Sequence, residues 1–130
     1  MGVRRGRAAA SGCGAVLTFS GAVQIHLAAR AVDFRKGHFG LCGVVSNVLR
    51  GDPARHVWVF YNQRRTELKV LWWDHGGFVL AHKKLARGRF RVPVADGDRV
   101  RMTQAELAAL LEGIDLSGCR RLPRWNPAAT

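Results

Sequence analysis

The sequence predicts one α+β domain: a small antiparallel β-sheet, made of a three-strand meander plus one or two further strands, covered by two amphipathic helices. Three observations predict it. Between residues 57 and 85 lie three short runs of β-branched and aromatic residues, Val57 to Tyr61, Leu68 to Trp73 and Phe78 to Leu85, separated by polar links. Two other stretches carry apolar residues at helical spacing. At 130 residues and 48% hydrophobic content, the chain is long and apolar enough for one real core.

Residues 1–20 pair a basic start with small residues, a poor imitation of a secretory leader because Ser11, Gly12 and Gly14 break the apolar run. The expectation is a disordered extension over 1–20, a single domain over 21–116 and a flexible basic tail over 117–130. Val23, Ile25 and Leu27 alternate with Gln24 and His26, which reads as a half-buried strand with His26 on the solvated side. Asp33 is positioned to cap a helix whose Leu41, Val44, Val45 and Val48 share one face, and Gly51, Asp52 and Pro53 stop it. Gly37, Gly40 and Gly43 each cost that helix about 1 kcal/mol against alanine, so close packing on the sheet is expected there.

In the central region, Gly76-Gly77 permits the positive φ of a tight reversal. Along the middle strand, Leu68, Val70 and Trp72 alternate with Lys69, Leu71 and Trp73, so both faces should be covered. Pro93 to Asp98 makes a polar bend before Val100 and Met102, read as another short strand. Thr103 and Glu106 then form the T-x-x-E capping pattern, and Leu107, Leu110, Leu111 and Ile114 make the stripe of a second helix.

The chemistry-bearing residues point away from catalysis. Cys13, Cys42 and Cys119 are odd in number and widely spaced, and no Cys or His pair has zinc spacing, so no metal site and no cofactor are expected, in a reducing compartment. Of nine acidic residues, Asp33, Asp52, Asp74, Asp96, Asp98 and Glu106 read as caps or turn residues, and no P-loop, G-x-S-x-G or H-E-x-x-H occurs. Basic charge is the positive signal. A net charge of +12, with seventeen Arg against four Lys, is far beyond what solubility needs and suits a polyanion. The candidate nucleic-acid-binding residues are Arg64, Arg65, Lys69, Lys83, Lys84, Arg87, Arg89 and Arg91 for phosphates, with Trp73, or its neighbour Trp72, as a stacking ring.

Three blocks, DFRKGHFGL (33–41), ELKVLWWDHGGFVLAHKKLARGRF (67–90) and MTQAELAALLEGID (102–115), resemble the small second-open-reading-frame accessory proteins of the IS-sixty-six family of bacterial insertion sequences. The match runs in family order from about Gly21 to Asp115. The resemblance implies a bacterial, cytoplasmic protein encoded beside a second small accessory protein and a large acidic-triad transposase that does the strand transfer. It also implies that the first twenty residues are an addition, as a misplaced start codon would make. The expected function is therefore non-catalytic: binding DNA at the insertion-sequence ends and assisting the transposase, with no membrane partner. The alternative is a protein-interaction module anchored by the Leu107 helix or an exposed Trp. A metal-dependent nuclease is a distant third.

Overall fold

The computed structural model describes residues 17–95 and 97–113, so the expected tail, Ile114, Asp96, Cys13 and Cys119 lie outside the described residues. The elements are β1 (Ile25–Ala28), α1 (His38–Asn47), β2 (Val57–Tyr61), β3 (Glu67–Asp74), β4 (Gly77–Lys84), β5 (Arg99–Met102) and α2 (Gln104–Leu111). One sheet holds the strands in the order β4-β3-β2-β1-β5.

The sheet is mixed rather than antiparallel throughout. β2, β3 and β4 pair antiparallel in sequence order, and β5 pairs antiparallel with β1, but β1 lies parallel to β2. Parallel neighbours need a long crossover instead of a hairpin, and the segment carrying α1 is that crossover.

Strand alternation sorts the core into two layers. On one face Ile25, Leu27, Val57, Val59, Leu68 and Val70 pack with Leu107 and Leu110 of α2 and with Phe90 and Val92. On the other, Ala28, Trp58, Phe60 and Leu71 pack with Leu41, Val45 and Leu49 of the α1 segment. All five residues of β2 are buried, because it is central and covered twice. β3 is buried from Leu68 to Leu71 and then emerges, with Trp72 half-buried and Trp73 exposed.

Local chemistry sets the ends. The β3–β4 hairpin has a two-residue loop, His75 (φ 37°) and Gly76 (φ 93°), one step earlier than the expected Gly76-Gly77 pair. At α2, Thr103 Oγ1 accepts the Glu106 N–H at 3.0 Å while Glu106 Oε1 accepts the Thr103 N–H at 2.8 Å, a complete capping box. Leu107 and Leu110 are fully buried in its inward stripe. Leu110→Ala is expected to cost about 2–5 kcal/mol in urea unfolding; a loss below about 1 kcal/mol would show that the stripe is not core.

Four expectations are corrected. Asp33 does not cap α1: Gly37 holds the N-cap position without a side-chain bond, and Asp33 instead accepts the Arg35 N–H at 2.9 Å and pairs with its guanidinium at 2.8 Å. No sheet atom approaches the glycines of α1, since a Cβ on Gly37 would meet nothing within 4 Å and one on Gly40 or Gly43 only the nearby Lys36 or Asn47 side chain. The close approach comes after the helix, where a Cβ on Gly51 would overlap the Trp58 indole. His26 is not solvated but buried, because the face of β1 opposite Ile25 and Leu27 is also covered. Finally, the fold begins before residue 21: Leu17 and Phe19 pack on the α2-side core, Phe19 meets Trp72 edge-on at 5.1 Å, and Gln104 bonds to the Phe19 N–H and the Leu17 carbonyl.

Candidate nucleic-acid interface

The cationic residues converge on the end of the sheet where β2 turns into β3 and β4 runs out. Asn62 builds that end. Its Oδ1 accepts the N–H groups of Thr66 at 2.8 Å and Glu67 at 3.0 Å, and its Nδ2 donates to Thr66 Oγ1 at 3.0 Å. This locks the turn carrying Arg64 and Arg65, both exposed, with Arg65 in the left-handed region at φ 60°. The register puts Lys84 opposite Glu67, at the foot of the same turn.

The segment after β4 is tied to the turn twice. The Leu85 N–H donates to the Thr66 carbonyl at 2.9 Å and the Phe90 N–H to the Arg65 carbonyl at 2.6 Å. Phe90 and Val92 are buried in the core, and the residues around them, Arg87, Arg89 and Arg91, are exposed. Alternation about two buried anchors thus turns Arg89 and Arg91 outward. Arg64, Arg65, Lys84, Arg87, Arg89 and Arg91 make no salt bridge with an acid among the described residues. Glu67, the carboxylate opposite Lys84 in the register, is engaged by His82 Nε2 at 2.7 Å and Asn62 Nδ2 at 3.2 Å.

Three expected members do not join this group. Lys69 is buried, its Nζ donating to the carbonyls of Phe34 at 2.9 Å and Lys36 at 3.0 Å while lying 4.8 Å over the Phe34 ring. It is therefore withdrawn from the phosphate-contacting set: it ties the β1–α1 loop to the sheet. Lys83 is exposed, but its ammonium donates to the Leu111 carbonyl at the C-terminal end of α2, where a cation satisfies an orphan acceptor. Trp73 is the exposed member of the Trp pair, at 45%, but it stands at the β3–β4 hairpin tip, edge-on to Phe78 at 5.0 Å. Six residues of β3 separate it from the level of Lys84, about 20 Å at 3.3 Å per residue.

A second polar cluster escaped the sequence reading. His26 stacks on Trp58 at 4.8 Å and meets His56 edge-on at 5.3 Å, while the Arg99 guanidinium lies 5.1 Å over the Trp58 ring. His26 Nε2 contacts Gln24 Oε1 at 3.1 Å, and the Nδ1 atoms of both histidines are buried with no hydrogen-bond partner among the described residues. Burial first, then the charges of Arg99, His56 and Arg101, lowers the His26 pKa from 6.5 to about 4, and burial also lowers that of His56. The sign follows from the folded state holding the neutral ring. Between pH 6.5 and about 4 the unfolded chain takes up a proton that the folded chain refuses, so stability falls as pH drops through that window. Urea unfolding at a series of pH values is expected to show this slope and a flatter one in His26→Phe; identical slopes would contradict the assignment.

Among the described residues no group of three or more His, Cys, Asp or Glu could hold a metal ion, and no helix is long and apolar enough to cross a membrane. Cys42 is partly buried, and burial raises its thiol pKa.

Fold and site together define a small basic α+β protein with a mixed sheet and a cluster of exposed cations at one end. Sequence comparison gives the particular family: the profile described as IS66 Orf2 like protein matches residues 23–121, and the chain belongs to that family, whose setting is an accessory role in insertion-sequence transposition. Two relatives from Sinorhizobium fredii (strain NBRC 101917 / NGR234) are similar along most of their length. Uncharacterized protein y4jC is 32% identical over 106 residues, covering 81% of this chain and 91% of its own. Uncharacterized protein y4hO is 37% identical over 94 residues, 72% of this chain and 82% of its own. No solved structure matches.

Proposed function

We propose that the protein assists transposition by binding the insertion sequence's DNA through the cationic end of its sheet, leaving bond-making to the separate transposase. The observation that carries this reading is the group Arg64, Arg65, Lys84, Arg87, Arg89 and Arg91, held by the Asn62 turn and the Phe90 anchor with no acid among the described residues paired to it. Arginine forks suit phosphate oxygens, and a backbone-fixed row of them can follow a duplex strand. Phosphate contacts position a protein without reading bases, so the end alone should bind element termini and unrelated duplex with similar affinity.

A second reading is favoured by a specific observation: Phe39 is 85% exposed and Trp73 45% exposed, and aromatic side chains at such positions anchor protein partners. The helix of Leu107 offers less to such a partner, since Leu107 and Leu110 turn into the core. Fluorescence anisotropy with labelled terminal-repeat and unrelated duplexes, run beside pull-down of the element's transposase and second accessory protein, separates the two. Binding to both duplexes supports DNA contact. Capture of a partner that Trp73→Ala abolishes, with no DNA binding at low salt, would overturn it in favour of the interaction module.

A further inference from the structure

We propose that two copies of this chain pair antiparallel through β4 about a two-fold axis at Ala81, so that Lys84 of each copy meets the Trp73–Phe78 ring pair of the other. The pairing takes Lys84 out of the cationic end but leaves its five arginines exposed, so it stands whether or not that end binds DNA.

The first ground is the edge itself. β4 ends the sheet, runs eight residues without proline, and has its only two lysines, Lys83 and Lys84, at its last two positions, with no Arg, Asp or Glu. A monomeric protein protects a long edge with charges along it, a proline, a bulge or a covering segment; among the described residues the first five residues of β4 have none of these. The chain leaving β4 does not cover it, because Leu85 and Phe90 bond back to the β2–β3 turn.

The hairpin geometry says which backbone groups are free. Asp74 and Gly77 flank a two-residue loop and so exchange hydrogen bonds with each other. By alternation the N–H and C=O groups of Phe78, Leu80, His82 and Lys84 point away from β3. None of these has another backbone partner among the described residues.

Charge then selects the direction. Parallel pairing would set Lys83 and Lys84 against their own copies, whereas antiparallel pairing sets the charged half against the apolar half. A two-fold axis normal to the sheet preserves its faces, so residues of like parity oppose each other. Centred on Ala81, this puts Leu80 opposite His82 and Phe78 opposite Lys84. Phe78 carries Trp73 on the same face, 5.0 Å away, so the lysine gains a desolvated cation–π partner. Trp73 and the cationic end, on opposite ends of one hairpin, become neighbours across the pair. The pair thus has two basic and aromatic surfaces that a single copy lacks.

Light scattering on the full chain, over a concentration series, is expected to give about twice the 14.3 kDa chain mass. Across the axis the two Ala81 residues form a non-hydrogen-bonded pair with Cα atoms about 4.5 Å apart, within disulfide reach. Ala81→Cys is therefore expected to yield a covalent dimer on mild oxidation, while wild type and Ser46→Cys do not. Ala81→Lys should halve the mass with its β-sheet circular dichroism retained. A single-chain mass at every concentration would overturn the proposal, as would an Ala81→Cys protein that forms no more covalent dimer than the Ser46 control. Because Ala81→Cys adds only one sulfur, the cross-linking result decides the matter should Ala81→Lys fail to fold.

Discussion

Trp58→Ala is expected to lower the unfolding free energy by about 3–5 kcal/mol. Trp58 has no exposed surface, lies in the doubly covered strand β2, and fills the space that Gly51 keeps open beside it. Truncation leaves a cavity, because the surrounding strands are fixed by their ladders and relax only in part. Two polar effects add to it. The indole N–H donates to the Asp52 carbonyl at 3.2 Å, and the ring screens His26 from water at a 4.8 Å stacking distance. Removing the ring should admit water to His26, return its pKa towards the ordinary value and flatten the pH dependence of stability. Urea unfolding at pH 7 and pH 5 measures both consequences; a loss under about 1 kcal/mol at pH 7 would contradict the packing described.

Replacing Arg64, Arg65, Arg87, Arg89 and Arg91 together by Gln should leave the fold intact and abolish most DNA affinity. All five side chains are exposed, and surface changes of this kind usually stay within about 0.5 kcal/mol each. The effect on binding is of another order. Each phosphate contact releases condensed counterion, so removing four or five contacts should flatten the log–log salt dependence by roughly 4 units and weaken binding at low salt more than about 100-fold. Trp73→Ala should leave that slope unchanged, since the ring carries no charge and stands at the far end of the hairpin. A folded five-fold variant with wild-type affinity would remove these arginines from the site.

How much of this was legible in the sequence depended on whether the deciding contact was local. The three central strands follow from runs such as Val57 to Tyr61, and α2 from Thr103 and Glu106, which make their capping box within four residues. The parallel neighbour of β1 was not legible, because local alternation states that a strand exists and not which strand lies beside it. Lys69 looked like a surface cation. Its burial depends on carbonyls at Phe34 and Lys36, more than thirty residues earlier. His26 alternates with Ile25 and Leu27 as a solvated residue would, and the rings of Trp58 and His56, thirty or more residues further along the chain, cover it.

Within the candidate site, composition pointed to the charged residues but not to their grouping. The Asn62 turn and the buried Phe90 gather the arginines at one end, and the hairpin carries Trp73 away to the other. No spacing rule predicts that separation, which follows from the register Glu67 to Lys84.

The most direct test of the central claim is the salt dependence of duplex binding by the wild-type chain. If roughly four to six of the six clustered cations engage phosphates, log affinity against log salt should be linear with a slope of about −4 to −5. A slope near zero, or no measurable binding at low salt, would contradict the claim that this end of the sheet is a DNA-binding surface.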